Sequence, residues 1–270
     1  METVNCRSIE EGILEVRMNR PDRLNALNPA LIADLIAVFR GLQHDRKTRV
    51  VILTGTGKGF CAGADLQEQA GPGAVPGTAG MSQLGFVYKY QEYLAQLMLA
   101  IHECDKPVVA AINGAAVGGG FAIALASDIR IASTAAKFGA VFIKVGLSAC
   151  DVGTSYFLPR LVGTGVAAEL MLSGRIFEAA EAREIRLVSQ VVEPEALEGS
   201  TVELARSIAE NSEYGVWMTK KGLWSGIDAP SLRHTMEMEN RTQVLGCFTG
   251  AMEESMAAFS AGRKPRWKPL

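Results

Sequence analysis

The stretch that most restricts how this chain can fold is 106–133, Lys-Pro-Val-Val-Ala-Ala-Ile-Asn-Gly-Ala-Ala-Val-Gly-Gly-Gly-Phe-Ala-Ile-Ala-Leu-Ala-Ser-Asp-Ile-Arg-Ile-Ala-Ser. An apolar β-type run at 108–112 meets Asn113-Gly114, then three consecutive glycines, then small residues at helical spacing over 121–126. This predicts a buried strand turning sharply into a helix. Gly118, Gly119 and Gly120 allow positive φ and let backbone approach a ligand, while the helix start leaves N–H groups without intrahelical partners. Such a turn can hold a developing negative charge on oxygen, or it can simply pack tightly beneath a neighbouring helix.

A second stretch, 50–66, has the same design: Val-Val-Ile-Leu-Thr-Gly-Thr-Gly-Lys-Gly-Phe-Cys-Ala-Gly-Ala-Asp-Leu reads as a β-branched strand, a glycine-rich turn and a helix. Two strand-to-helix turns can each contribute one N–H to the same oxygen, which is how an oxyanion hole is built.

The rest of the composition narrows the function. At 270 residues the chain can bury a substantial core, and 48% hydrophobic content with 28 glycines describes a turn-rich globular protein. A formal charge of −2 gives no electrostatic case for nucleic acid or an acidic membrane surface. No uncharged apolar run reaches the roughly 18 residues a spanning helix needs, and no apolar signal region opens the chain, so a cytoplasmic location without membrane contact is expected. The three histidines, His44, His102 and His234, form no ligand cluster, so no metal is expected. Cys6, Cys61, Cys104, Cys150 and Cys247 form no Cys-x-x-Cys pair and are expected to stay reduced; Cys61 and Cys150 read as small buried residues.

Along the chain, 8–19 alternates weakly as a strand would. Asn28-Pro29 marks a helix start, and Leu31, Leu35, Val38, Phe39 and Leu42 fall on one face. Residues 70–80 are too rich in Gly and Pro for regular structure and read as a mobile loop, a lid or a plain surface excursion. A long amphipathic helix spans 83–104, a short strand 128–132, and a strand or extended segment 137–145. Short helices follow at 153–163, 165–173 and 178–186, and 235–264 reads as one long final helix. Periodicity alone gives α/β.

Phe-Cys-Ala-Gly-Ala-Asp at 60–65, the segment 106–120, and Ser-Asp-Ile-Arg-Ile-Ala at 127–132 together resemble the enoyl-CoA hydratase/isomerase (crotonase) superfamily. The resemblance continues through Leu-Pro-Arg-Leu-Val-Gly at 158–163, Glu-Leu-Met-Leu-Ser-Gly at 169–174 and Leu-Val-Ser-Gln-Val-Val at 187–192. It implies a spiral of ββα turns over 1–200, then a helical region at 201–270 that packs in a homotrimer or a dimer of trimers. Where resembling sequences carry Gly before the Leu-Val-Ser strand this chain has Arg186, which predicts an altered turn with strain of about 1 kcal/mol.

The resemblance also assigns site residues. Ala64 and Gly119 supply the two N–H donors to the thioester carbonyl of an acyl-CoA, each worth roughly 3 kcal/mol in the transition state. The backbone at Ala62 and Asp65 helps hold the adenine end of CoA, although Asp65 alone reads as a helix N-cap; Gly118 and Phe142 border the substrate. No cofactor is implied, coenzyme A being part of the substrate. Two glutamates of the hydratases are missing: Ala122 and Phe142 occupy their positions. The carboxylate that remains is Asp151, near an aspartate of dienoyl-CoA isomerases and the nucleophile of chlorobenzoyl-CoA dehalogenases, with one extra residue after Gly146. Desolvation beside Phe142 would raise its pKa, and a single carboxylate can move a proton between two carbons of one substrate. Asp151 as a helix cap, hydrolase- or dehalogenase-like attack by Asp151, and non-catalytic acyl-CoA binding are the alternatives. Asp128 suits a structural hydrogen bond, Lys144 a solvated strand, and Trp217, Trp224, Met236 and Met238 core or subunit interface.

Overall fold

The computed structural model describes residues 2–68, 70–268 and 270. A hairpin of β1 (Val4–Glu10) and β2 (Ile13–Met18) opens the chain, turning at Gly12 with φ +80°. Helix α1 (Pro29–Leu42) starts where Asn28 accepts the Leu31 N–H at 2.9 Å, and its face of Leu31, Leu35, Phe39 and Leu42 is buried.

The next segments coil. Strand β3 (Val50–Gly55) leads to β4 (Gly59–Cys61), and α2 (Gln83–His102) returns the chain to the start of the next turn. Then β5 (Val108–Ile112) leads to β6 (Ala115–Val117) and α3 (Gly119–Ala126), and β7 (Ile129–Ser133) leads to β8 (Lys137–Gly139). Beyond a 3₁₀ turn at Val141–Val145 come α4 (Thr154–Val162), α5 (Thr164–Ser173), β9 (Phe177–Glu178), α6 (Ala179–Glu184) and β10 (Gln190–Val192). Each coil lays one strand on each of two sheets, ordered β1-β2-β3-β5-β7-β10 and β4-β6-β8-β9. This is the spiral of ββα turns that the resemblance implies.

Strand alternation explains the layers. Val51, Leu53, Val108, Ala110 and Ile112 face one core with α1, α2 and α3, while Val50, Ile52, Val109 and Ala111 face a second. The second core is closed by Leu197, Val202 and Ala205 of α7 (Leu197–Ala209). All eight residues of α3 are buried, as its small-residue sequence requires. Helix α8 (Glu213–Ile227) is tied to the core by Lys220, whose Nζ lies 2.7 Å from Asp128 and donates to the Lys106 carbonyl at 3.0 Å. Asp128 also accepts the Val108 N–H at 2.8 Å and the Trp224 indole N–H at 3.3 Å, the structural role its position suggested.

Several expectations are corrected. The final helix is two, α9 (Leu232–Gly246) and α10 (Ala251–Ser260), because Gly250 takes φ +76° between them. No helix follows Cys61: residues 62–68 bend sharply, since Leu27 pairs with Ala64 as an isolated bridge and occupies their backbone. Only 137–139 of the 137–145 segment is strand, and Lys144 is exposed on the 3₁₀ turn. Residues 70–81 lack regular structure, yet they fold around a buried Thr78 whose hydroxyl accepts from Gly73 N and donates to the Val75 carbonyl. Cys150 is exposed, whereas Cys61 is buried. Arg186 does adopt φ +62°, the left-handed turn its position predicts. Among the described residues no helix is long and apolar enough to cross a membrane.

Candidate active site

The two glycine turns meet. A Cβ added to Gly63 would come within 3.3 Å of the Gly119 nitrogen and 2.9 Å of the Val117 carbonyl oxygen, and one on Gly119 would lie 3.8 Å from the Gly63 Cα. Gly118, at φ +54°, makes the bend from β6 into α3, and Gly63, at φ +86°, makes the bend after β4. These two angles place both turns in space that L side chains avoid. Leu27 N donates to the Gly63 carbonyl at 2.7 Å and Asp65 N to the Leu27 carbonyl at 2.9 Å, so parallel-bridge geometry turns the Ala64 N–H away from Leu27. Among the described residues neither the Ala64 N–H nor the Gly119 N–H has an acceptor. Ala64 is exposed; Gly118 and Gly119 are buried.

Buried polar groups brace the turns. Asn25, itself left-handed at φ +56°, donates to the Thr56 and Gly59 carbonyls at 3.0 and 2.8 Å. Asn113 donates to the Gly57 carbonyl at 2.9 Å from the strand-end of the neighbouring coil. Asp65 caps no helix; its Oδ1 accepts the N–H groups of Gln67 and Glu68 at 3.1 Å each. Its other oxygen pairs with Arg20 at 3.0 Å, and Arg20 also reaches Glu68 at 2.8 Å. Burial alone would raise the Asp65 carboxyl, but Arg20 and these N–H donors outweigh it and hold the pKa below the usual range. Ala62 N donates to the Leu24 carbonyl at 3.0 Å, which joins the loop before α1 to the same turn. Burial pushes the Cys61 thiol up to about 12, so it stays protonated.

The other named side chains gather on the 139–153 segment and α2. Val141 lies over Gly118, its Cγ2 3.6 Å from where a Cβ would stand. Phe142 and Ala122 are buried in the main core, so apolar side chains fill the two positions the resemblance assigns to hydratase glutamates. Asp151 is half-buried in the turn before α4. Its side chain caps nothing: the N-cap of α4 is Gly153, and only the Asp151 backbone carbonyl accepts the Thr154 N–H, at 2.8 Å. Instead Gln91 of α2 donates its side-chain amide to Asp151 Oδ1. Burial raises the carboxyl's pKa, with Gln91 and the Val152 N–H acting against it. Val152 has φ +38°, a conformation that costs a β-branched residue on the order of 1–3 kcal/mol.

Sequence reasoning missed Gln91, Arg20 and Asn25. A lone glutamine on a long helix carries no signal, since its partner is 60 residues away. Arg20-Pro21 and the buried Asn25 precede a turn and could have been read as bracing it.

Residues 8–269 match the family profile described as Enoyl-CoA hydratase/isomerase. The chain belongs to the enoyl-CoA hydratase/isomerase family. It is 42% identical to a probable enoyl-CoA hydratase of Mycobacterium leprae, covering 92% of this chain and 84% of that one. With the 1,2-epoxyphenylacetyl-CoA isomerase of Escherichia coli it shares 34% identity over 96% of each chain. A solved structure of a probable enoyl-CoA hydratase/isomerase from Mycobacterium abscessus superposes with a TM-score of 0.91 at 36% identity, covering 99% of both chains. As an enzyme of the enoyl-CoA hydratase/isomerase family, this chain is an acyl-CoA enzyme. In this chain Asp151 carries a carboxyl, while positions 122 and 142 hold alanine and phenylalanine.

Proposed function

We propose that this enzyme binds an acyl-CoA thioester with its carbonyl oxygen between the N–H groups of Ala64 and Gly119, and isomerises it by moving one proton through Asp151. The observation that carries the reading is the contact of two turns 55 positions apart in sequence, each offering an N–H that lacks an acceptor among the described residues. As the α-carbon loses a proton, negative charge grows on the thioester oxygen. Backbone donors aimed at that oxygen stabilise the enolate without reorganising. Gly118 gives the oxygen room to approach, and Ala62, Asp65 and their Arg20-braced turn support the CoA end. Phe142 borders the acyl chain.

A two-glutamate hydration, in which one carboxyl activates water while another delivers a proton, lacks both groups at Ala122 and Phe142. One half-buried carboxyl with a raised pKa suits return of the same proton to another carbon. The reaction needs no cofactor beyond the CoA moiety of the substrate. The apolar side chains exposed on α9, α10 and the loop between them, Phe248 at 83% and Phe259 at 89%, support a trimeric assembly through the helical region.

The test is turnover of 2-enoyl-, 3-enoyl- and 3,5-dienoyl-CoA by wild type and Asp151→Asn. Isomerisation of an unsaturated thioester that is lost in Asp151→Asn is the expected result. Rapid crotonyl-CoA hydration untouched by the substitution would remove Asp151 from the mechanism, and CoA binding without turnover would make the protein a binder.

A further inference from the structure

Asp151 and Gln91 come from different parts of the spiral: one from the turn before α4, the other from α2, which closes a coil two turns earlier. Their hydrogen bond joins these elements at the candidate proton carrier. An ionised carboxylate accepts and a side-chain amide N–H donates, so Oδ1 is occupied. Among the described residues, Oδ2 has no side-chain partner. The backbone turns sharply immediately after Asp151, with Val152 at a strained φ of +38° and Gly153 at φ +85°.

We propose that Gln91 is a positioning residue for the proton transfer: its amide fixes Oδ1 of Asp151, and Oδ2 is the oxygen that takes and returns the substrate proton. The inference rests on the reading of Asp151 as the proton carrier. In the forward step the C–H bond at the α-carbon breaks, the proton passes to Oδ2, and the electron pair moves onto the thioester oxygen. In the return step the O–H bond at Oδ2 breaks, the proton joins the γ-carbon, and the pair flows back through the shifted double bond. Nothing is oxidised or reduced. Gln91 favours the ionised carboxylate, so it keeps the base available against the pull of burial.

The charges on neighbouring elements are engaged elsewhere. On α2, Lys89 pairs with Glu92 at 2.7 Å; on α4, Arg160 pairs with Asp228 at 2.9 Å, and Tyr156 donates to the same carboxylate. Lys144 is exposed on the 3₁₀ turn. Burial, the Gln91 amide and the Val152 N–H are the influences on the Asp151 carboxyl.

The experiment compares wild type, Gln91→Met and Asp151→Asn on a 3-enoyl-CoA substrate, with kcat and KM measured across pH, and thermal melts and CoA affinity as controls. Gln91→Met keeps the length of the side chain and removes the donor. Loss of a hydrogen bond to a charged group corresponds to about tenfold or more. The expected result is therefore a tenfold or larger fall in kcat, KM within twofold, an acid limb moved to higher pH, and unchanged melting and CoA binding. If Asp151→Asn is inactive but Gln91→Met keeps the wild-type kcat and acid limb, the positioning role is overturned while Asp151 stands. A fall in kcat that tracks lost melting temperature, with the acid limb unmoved, also overturns it. If Asp151→Asn retains turnover, the reading of Asp151 itself fails, and the role of Gln91 falls with it.

Discussion

Gly120 offers a direct test of how the candidate site is assembled. A Cβ there would stand 1.9 Å from the Cys61 carbonyl oxygen and 2.6 Å from its carbon, both main-chain atoms of β4. In Gly120→Ala the start of α3 and the end of β4 must part by roughly 1 Å before that contact reaches even 3.0 Å. Overpacking a filled core costs about 1–3 kcal/mol and sometimes more, and a clash against backbone belongs at the upper end. At about 2–4 °C per kcal/mol for a domain of this size, the melting temperature should drop by roughly 6–12 °C. A misplacement of about 1 Å can also cost on the order of a hundredfold in rate, because the Gly119 N–H moves with α3. Gly119→Ala is the control. Its Cβ presses on the Leu27 Cδ1 at 2.9 Å, a methyl that can rotate aside, and stands at ordinary contact distance, 3.8 Å, from the Gly63 Cα, so its loss should stay at about 1 kcal/mol. Differential scanning fluorimetry and turnover on one acyl-CoA substrate measure both effects. A Gly120→Ala protein that melts within about 1 °C of wild type, or a Gly119→Ala protein just as unstable, would refute the close approach of these two backbones.

Breaking the buried Lys220–Asp128 pair with Lys220→Met leaves a carboxylate uncompensated and should cost about 3–5 kcal/mol; denaturant unfolding that changes by under 1 kcal/mol would contradict it. Arg186→Gly relieves an exposed left-handed residue and should stabilise by up to about 1 kcal/mol, read as an upward shift in melting temperature. Val152→Gly relaxes the elbow beside Asp151, so kcat should fall while melting changes little; an unchanged kcat would show the strain has no part in the chemistry. Asp65 has its pKa lowered in the folded protein, so it contributes stability above the unfolded carboxylate range near about pH 4, lost as pH falls through the lower folded value. Removing its guanidinium partner in Arg20→Met should flatten the urea midpoint against pH between 7 and 3, and an unaltered slope would count against the pairing.

The α/β class and both glycine turns are legible because their signals are local: β-branched runs, glycine where φ must be positive, and Asn28-Pro29 at a helix start. The spiral is legible only through the family resemblance, because no local window carries the pairing between successive coils. The break between α9 and α10 was less so, since Gly250 sits within a run whose helical spacing looks continuous. The helix expected after Cys61 fails for a reason no window contains, the pairing of Leu27 with Ala64 from a segment 37 positions earlier. Asp151 could be picked out as the available carboxyl, but whether it capped α4 or faced elsewhere depended on Gln91, a contact across 60 residues. Cys150, with no histidine near it in sequence, reads as a small buried residue, and the turn before α4 instead presents it to solvent.

The bridge of Leu27 to Ala64 and the seating of Gly120 on Cys61 make one consequence unavoidable. The two N–H groups of the proposed site belong to the main chain at Ala64 and Gly119, so changing the surrounding side chains leaves them in place. Alanine and phenylalanine at 122 and 142 pack into the core beside this main-chain frame without interrupting it.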